Sequence, residues 1–291
     1  ANPVLIGTNT VVTITDGAYT LDGTTNGLLA IISKVGQNKV ILEKAASTPI
    51  EGSAADLKTM LAGVSSYTGA LKATDAAGVS AADLNTIAKG TTGKVTATLG
   101  VATPLTKATV DALADVKATD IITFKPTAIT ADAAILVAIN KIISGADFTA
   151  VATITAAAAD VALVKEALAY STVGEPAVTI TGAISAADVN AIAKATDGIV
   201  TATIADGTVA ATLKAIKDVV SGDKITFKTT DTTVKATELK ALKELVDTLD
   251  ATSIKTITAA AADVVAAVAD VAAALGAAAA PPPTNTTPLM P

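Results

Sequence analysis

The stretch SAADLNTIAKGTTGKVTATL at 80–99 and the stretch SAADVNAIAKATDGIVTATI at 185–204 share fourteen of twenty residues. The two copies lie 105 residues apart, and weaker copies of one helix-then-strand repeat of about 27 residues surround them. A fixed period of this length is typical of stacked repeat proteins. The duplication therefore predicts an array in which each repeat packs on its neighbours.

Two shorter strings extend the duplication. ITFK occurs at 122–125 and 225–228, and ITAAAADV occurs at 154–161 and 257–264, both with an offset of 103 residues. We therefore expect residues 80–184 and 185–276 to be two copies of one block of about four repeats, within a repeat region over 51–276. Residues 1–50 then form an amino-terminal cap and the first coils, and the Pro- and Thr-rich segment 277–291 forms an extended tail.

The helices are expected to begin at a recurring Ser-Ala-Ala-Asp string. Its serines are Ser53, Ser80 and Ser185, and its aspartates are Asp56, Asp83 and Asp188. A serine at the N-cap accepts a hydrogen bond from a first-turn amide, and an aspartate three residues later faces the positive end of the helix dipole. These aspartates are therefore predicted to mark helix starts and not ligand sites.

Ten segments rich in Val, Ile and Thr are predicted to be β-strands. They lie at 11–15, 39–44, 67–73, 94–99, 120–125, 148–155, 177–182, 199–204, 223–228 and 253–258. Several alternate: in KVTATL at 94–99, Val95, Ala97 and Leu99 point to one face and the threonines to the other. One sheet face is therefore expected to lie in water, unlike the strands of a closed barrel or doubly wound sheet, which are apolar on both faces.

Strands that alternate with helices over short connections are parallel and are joined by right-handed crossovers. The pattern predicts an α/β protein, and specifically an open right-handed α/β solenoid with an outline like that of leucine-rich repeats. We expect about ten parallel strands with helices on one face.

The composition argues against catalytic and metal-binding chemistry. The 291 residues include no His and no Cys, and all 21 basic residues are Lys. Without His or Cys, a general base or nucleophile would have to come from other groups, and no phosphate-binding loop or nucleophile-elbow motif is present. We expect no enzyme activity, no catalytic residues, no cofactor and no metal site.

Charge and hydropathy restrict the partners and the location. A net charge of −6 argues against nucleic acid, because phosphate binding needs a basic surface. The most apolar stretch, Ile257 to Ala280, contains Asp263 and Asp270, so it is predicted to be a terminal helix and not a membrane span. The first residue is Ala1 and not Met, which fits a secreted protein after removal of its signal peptide.

Threonines on the water-facing side of the strands predict the one surface with a specific binding chemistry. This exposed ladder comprises Thr13, Thr15, Thr96, Thr98, Thr153, Thr155, Thr179, Thr181, Thr201, Thr203, Thr256 and Thr258. Regularly spaced hydroxyl pairs on a flat sheet could order water and bind ice, but Lys44, Lys72, Lys125 and Lys228 interrupt the array, and threonine is also simply a good strand former. Ice binding is one alternative function, and a surface adhesion or binding module is another.

The strings SAADLNTI with TTGKVTATL, and SAADVNAI with TDGIVTATI, resemble repeats of very long secreted or cell-surface proteins of marine cyanobacteria and some other bacteria. Those proteins include giant surface proteins linked to swimming. The resemblance implies an extracellular, non-catalytic, structural or adhesive role and transfers no functional residue. The chain departs from these proteins in its shortness and in lacking the GGxGxDxUx calcium-binding nonapeptides that often accompany them.

The predicted architecture also suggests a partner. An uncapped solenoid end exposes a sheet edge that can stack on a second copy, and a head-to-tail contact that does not close produces a filament. We therefore expect a secreted or cell-surface structural protein that self-assembles, through its solenoid ends and terminal tails, into an extracellular filament or surface layer.

Overall fold

The computed structural model describes residues 11–15, 21, 27–42, 48–100, 105–124, 126, 129–170 and 173–260. Within these ranges the chain is an α/β protein of helices and parallel strands, as predicted. The predicted tail at 277–291 and most of the predicted terminal helix lie outside the described residues.

The described strands are three to eight residues long. They are β1 Val12–Ile14, β2 Val40–Leu42, β3 Ile50–Gly52, β4 Leu71–Ala73, β5 Val95–Leu99, β6 Ile121–Phe124, β7 Ile129–Asp132, β8 Val151–Ala157, β9 Ala177–Ile184, β10 Val200–Gly207, β11 Lys224–Thr229, β12 Thr233–Lys235, β13 Thr248–Asp250 and β14 Thr256–Thr258. Each of the ten predicted segments overlaps one of these strands. The prediction missed β3, β7, β12 and β13, which have three or four residues each and are too short to show an apolar period.

Along the described chain each helix is followed by one strand or by two successive strands. They are α1 Leu28–Val35, α2 Ala54–Gly63, α3 Ala81–Lys89, α4 Lys107–Asp111, α5 Ala133–Ile142, α6 Val161–Leu168, α7 Ala186–Ala195, α8 Val209–Ala215 and α9 Ala236–Leu245. A short 3₁₀ helix at Ala158–Asp160 leads into α6.

The described strands are divided among four sheets, with the orders β1-β2, β3-β4-β5-β6, β13-β11-β10-β9-β8-β7 and β12-β14. The prediction of about ten strands in one sheet is therefore wrong, because the largest of these sheets has six. Isolated β-bridges lie beside these ladders, as at Tyr67 with Thr91 next to the pairing of β4 with β5, and at Phe148 with Val173 next to that of β8 with β9. The strands β6 and β7 follow each other along the chain but belong to different sheets.

The chain forms two compact units. The first comprises Ala1–Ile154 and Glu166–Gly174, and the second comprises Thr155–Lys165 and Glu175–Pro291. In the first unit, Val95, Ala97 and Leu99 of β5 are buried and the threonines between them are not. In the second unit, Val200, Ala202 and Ile204 of β10 show the same alternation. The predicted alternation of faces on these strands is thus confirmed.

The core of the first unit also contains an aromatic row. Phe124 and Phe148 lie with ring centroids 5.5 Å apart in an edge-to-face arrangement, and Phe148 stacks on Tyr170 at 6.0 Å. Such pairs add about 0.5–1.5 kcal/mol beyond the burial of apolar area. The few aromatic residues of this aliphatic chain are thus used partly to join successive repeats.

Candidate functional site: links between successive repeats

The Ser-Ala-Ala-Asp strings form helix N-caps, as predicted. At Ser53, Ser80 and Ser185 the serine Oγ accepts a hydrogen bond from the backbone N of the aspartate three residues later, each at 3.1 Å. The same hydroxyl donates to that aspartate's carboxylate at 2.7–2.9 Å. Each cap satisfies one of the amides that a helix start leaves without a partner.

Two of these aspartates also pair with a lysine of the preceding repeat. Lys165 Nζ lies 2.8 Å from Asp188 Oδ1, and Lys58 pairs with Asp83 in the same way. The hydrogen bond from the lysine, followed by that from the capping serine, lowers the pKa of each aspartate. Both carboxylates are about a third exposed, so water screens the pairs and limits their contribution to stability.

Two other aspartates each bind the backbone amide that begins a strand of the preceding repeat and a second amide three residues before the aspartate itself. Asp223 accepts from Val200 N at 2.8 Å and from Val220 N at 3.1 Å. Its equivalent in the first copy, Asp120, accepts from Val95 N at 2.8 Å and from the amide of residue 117 at 2.9 Å. Asp223 is only 5% exposed, and a buried carboxylate needs partners of this kind. Each of these carboxylates therefore ties a strand start to the repeat that follows it.

An asparagine and an aspartate form a reciprocal link in both copies. Asn190 donates from Nδ2 to Asp218 Oδ2 at 2.8 Å and accepts from the Asp218 backbone N at 2.7 Å. Asn85 and Asp115 make the same two bonds at 2.9 and 2.6 Å. The side chain on one helix thus holds the turn of the next repeat through both its donor and its acceptor.

Helix starts are also capped from the following repeat. Asp75 Oδ2 accepts from Ala54 N at 2.8 Å, and Asp231 Oδ2 accepts from Val209 N at 2.7 Å. These carboxylates lie 21 and 22 residues further along the chain than the amides that they bind. A negative group at a helix amino terminus is favoured by the helix dipole, so each of these helices is stabilised by the next repeat.

The close approach of the backbone between repeats is made by a threonine and a glycine. Thr196 is buried, donates to Pro176 O at 2.8 Å and accepts from Gly198 N at 3.0 Å. Thr91 makes the equivalent bonds in the first copy. A Cβ on Gly198 would lie 2.2 Å from Pro176 O, so a residue with a side chain cannot be accommodated there without a shift of the backbone.

Sequence reasoning missed most of these partners. Asp120 and Asp223 were predicted only as the first residues of the strands 120–125 and 223–228, and Asp115 lies in the turn after α4. A usable signal was present, because five of the linking residues are identical in the two copies. The matched pairs are Asn85 with Asn190, Thr91 with Thr196, Gly93 with Gly198, Asp115 with Asp218 and Asp120 with Asp223.

None of the twelve threonines predicted for the exposed ladder is buried. They lie on β1, β5, β8, β9, β10 and β14, or directly after β1 in the case of Thr15, and these strands belong to four sheets. Thr179 and Thr201 are register partners. Thr203 instead faces Thr226, which faces Thr248, so three threonines stand in one row across β10, β11 and β13.

The part of the chain that the structure describes contains no group of three or more His, Cys, Asp or Glu side chains placed to hold a metal ion. Over the same ranges, no helix combines the length and apolar character needed to cross a membrane.

Comparison with protein-family models, with curated proteins and with solved structures found no match for this chain.

Proposed function

We propose that this chain is a non-catalytic structural protein of the cell exterior that self-assembles head to tail into a filament or surface layer. The observation that carries the proposal is that both copies of the repeated block use the same Asn, Thr and two Asp positions for links to a neighbouring repeat. We further propose that the repeats of each compact unit form an open right-handed α/β solenoid.

The direction of the links supports head-to-tail contact. In eight of them the carboxylate belongs to the later repeat and the donor to the earlier one: Asp75, Asp83, Asp115, Asp120, Asp188, Asp218, Asp223 and Asp231. Three exposed links run the other way, from Lys72 to Glu51, from the Asp197 amide to Glu175, and from Lys228 to Asp206. The two sides of a repeat therefore differ in chemistry, and a copy that continued the array would present its carboxylate side to the donor side of another. A contact between unlike surfaces of this kind is heterologous and does not limit the assembly to a dimer.

The assembly is tested with the full chain. Multi-angle light scattering and negative-stain electron microscopy over a series of concentrations should show a mass that rises with concentration, and unbranched filaments or sheets. A monodisperse monomer at every concentration, with both termini verified by mass spectrometry, would overturn the proposal. For the location, immunogold labelling of producing cells should place the chain at the surface, and label confined to the cytoplasm would contradict it.

One observation favours a second candidate, a hydroxyl-bearing binding face. The row Thr203, Thr226 and Thr248 stands on three adjacent parallel strands with a spacing of about 4.8 Å. Such a row could bind ice or a surface ligand in adhesion. A measurable gap between melting and freezing temperatures, lost in Thr226→Val, would support ice binding, and the absence of a gap would exclude it.

A further inference from the structure

A cavity of about 300 Å³ lies in the first compact unit, between the start of β6 and the end of α5. Its aliphatic lining is formed by Ile121, Ile122, Ile142 and Ile143. Its volume is at the lower end of the range for small-molecule sites. Ile121 is 52% exposed, so a ligand that covered it would remove apolar surface from water and gain free energy.

Two polar side chains of the wall, a lysine and a serine, can donate hydrogen bonds to a ligand. Asp120 lines the cavity, but its two oxygens accept from the backbone amides of residues 95 and 117. Lys141, in the last turn of α5, forms no ion pair with any described residue. Ser144 adds an exposed hydroxyl. The wall therefore offers an ammonium and a hydroxyl donor beside an aliphatic surface.

The second copy of the block lacks this combination of aliphatic and cationic side chains. The helices α5 and α9 are equivalent at an offset of 103 residues. Three lining positions keep an aliphatic residue in the second copy: Ile225, Leu245 and Val246. Four others change: Ala118 becomes Ser221, Ile121 becomes Lys224, Lys141 becomes Glu244 and Ser144 becomes Asp247. The second copy thus replaces an apolar, cationic wall with one that carries a lysine and two carboxylates, which suits neither an aliphatic nor an anionic ligand.

We propose that this cavity binds a small amphiphile with a short aliphatic chain and a carboxylate head. The chain lies among the isoleucines, and the head lies beside Lys141 Nζ and the Ser144 hydroxyl. At about 30 Å³ per water-sized group, the cavity holds about ten such groups. Octanoate matches that size and charge and is the probe for the test.

The test is a titration of the full chain, labelled with ¹³C at its isoleucine methyls, with octanoate by NMR. Saturable shifts are expected at Ile121, Ile122, Ile142 and Ile143, with a Kd on the order of 1 mM for a ligand of this size. Shifts that grow without saturation, or that are equally large at Ile225 of the second copy, would overturn the proposal.

Three variants distinguish binding at this site from nonspecific binding. Ile121→Lys introduces the residue that the second copy tolerates at the same place, so it should fold and should raise the Kd at least about tenfold. Lys141→Gln should weaken octanoate several-fold and leave 1-octanol unchanged. Lys224→Gln is the matched control and should alter neither. Binding that survives Ile121→Lys, or that weakens equally for both probes in Lys141→Gln, would refute the assignment.

Discussion

Removing the carboxylate of Asp223 tests whether the links between repeats hold the second compact unit together. Asp223→Ala leaves the Val200 amide without its acceptor. Val200 is fully buried, so that loss should cost about 1–3 kcal/mol. Val220 is 60% exposed, so its amide can return to water and adds only about 0.5–1 kcal/mol. The free energy of unfolding should therefore fall by about 1.5–4 kcal/mol.

Two comparison variants make the measurement specific. Asp223→Asn keeps one acceptor oxygen but turns an NH₂ group toward an amide and loses the charge, so it should cost about half as much as the alanine variant. Asp197→Ala removes an exposed aspartate of the same unit and should change stability by less than about 0.5 kcal/mol.

The assay is urea unfolding followed by far-UV circular dichroism, since the chain has no Trp. Hydrogen exchange of the Val200 amide supplies a local readout that does not depend on a two-state fit. If Asp223→Ala unfolded at the same urea concentration as Asp197→Ala, and the Val200 amide exchanged no faster, the interpretation of these carboxylates as structural links would be refuted.

Three further predictions concern packing and charge. Gly198→Ala should destabilise by about 1–3 kcal/mol because of overpacking, whereas Gly222→Ala, with open space around its Cβ, should not; equal urea midpoints would contradict this. Lys165→Met removes the hydrogen bond that lowers the pKa of Asp188. In the wild type this bond stabilises the fold above the ordinary aspartate pKa of about 3.9, and the stabilisation is lost as the pH falls through the lower pKa of Asp188 in the folded state. The variant should therefore lose less stability than the wild type as the pH falls from about 4 to that lower pKa, and identical profiles of stability against pH would disprove the pairing. Phe148→Ala should cost about 3–5 kcal/mol in thermal unfolding, since the ring is fully buried, and a loss below about 1 kcal/mol would show that the aromatic row is dispensable.

The inter-repeat links also explain how an aliphatic chain with few aromatic residues can hold an extended series of repeats. Small aliphatic side chains contribute little directional information, since one apolar surface packs on another in many ways. The linking aspartates bind specific amides, so they fix which part of one repeat meets the next. Asp223 is the clearest case, because its burial requires both of its backbone partners.

The differences between the two copies have a separate meaning. Five linking residues are identical in the two copies, whereas the cavity wall changes from Ile121 and Lys141 to Lys224 and Glu244. The linking positions and the positions that line the cavity have thus diverged to different extents within one chain. This contrast is the reason that the second copy supplies the control variants for the proposed amphiphile site.

Features that depend on residues close together in the chain could be predicted from the amino-acid sequence. The Ser80 and Ser185 caps and the alternation of buried and exposed residues on β5 and β10 follow from spacings of two to four residues, which local geometry converts directly into structure. Tertiary packing sets how the strands divide among four sheets and which groups of a neighbouring repeat the aspartates bind. The partners in different repeats lie 21 to 30 residues apart, and no local pattern specifies which donor and acceptor meet once helices and strands have packed.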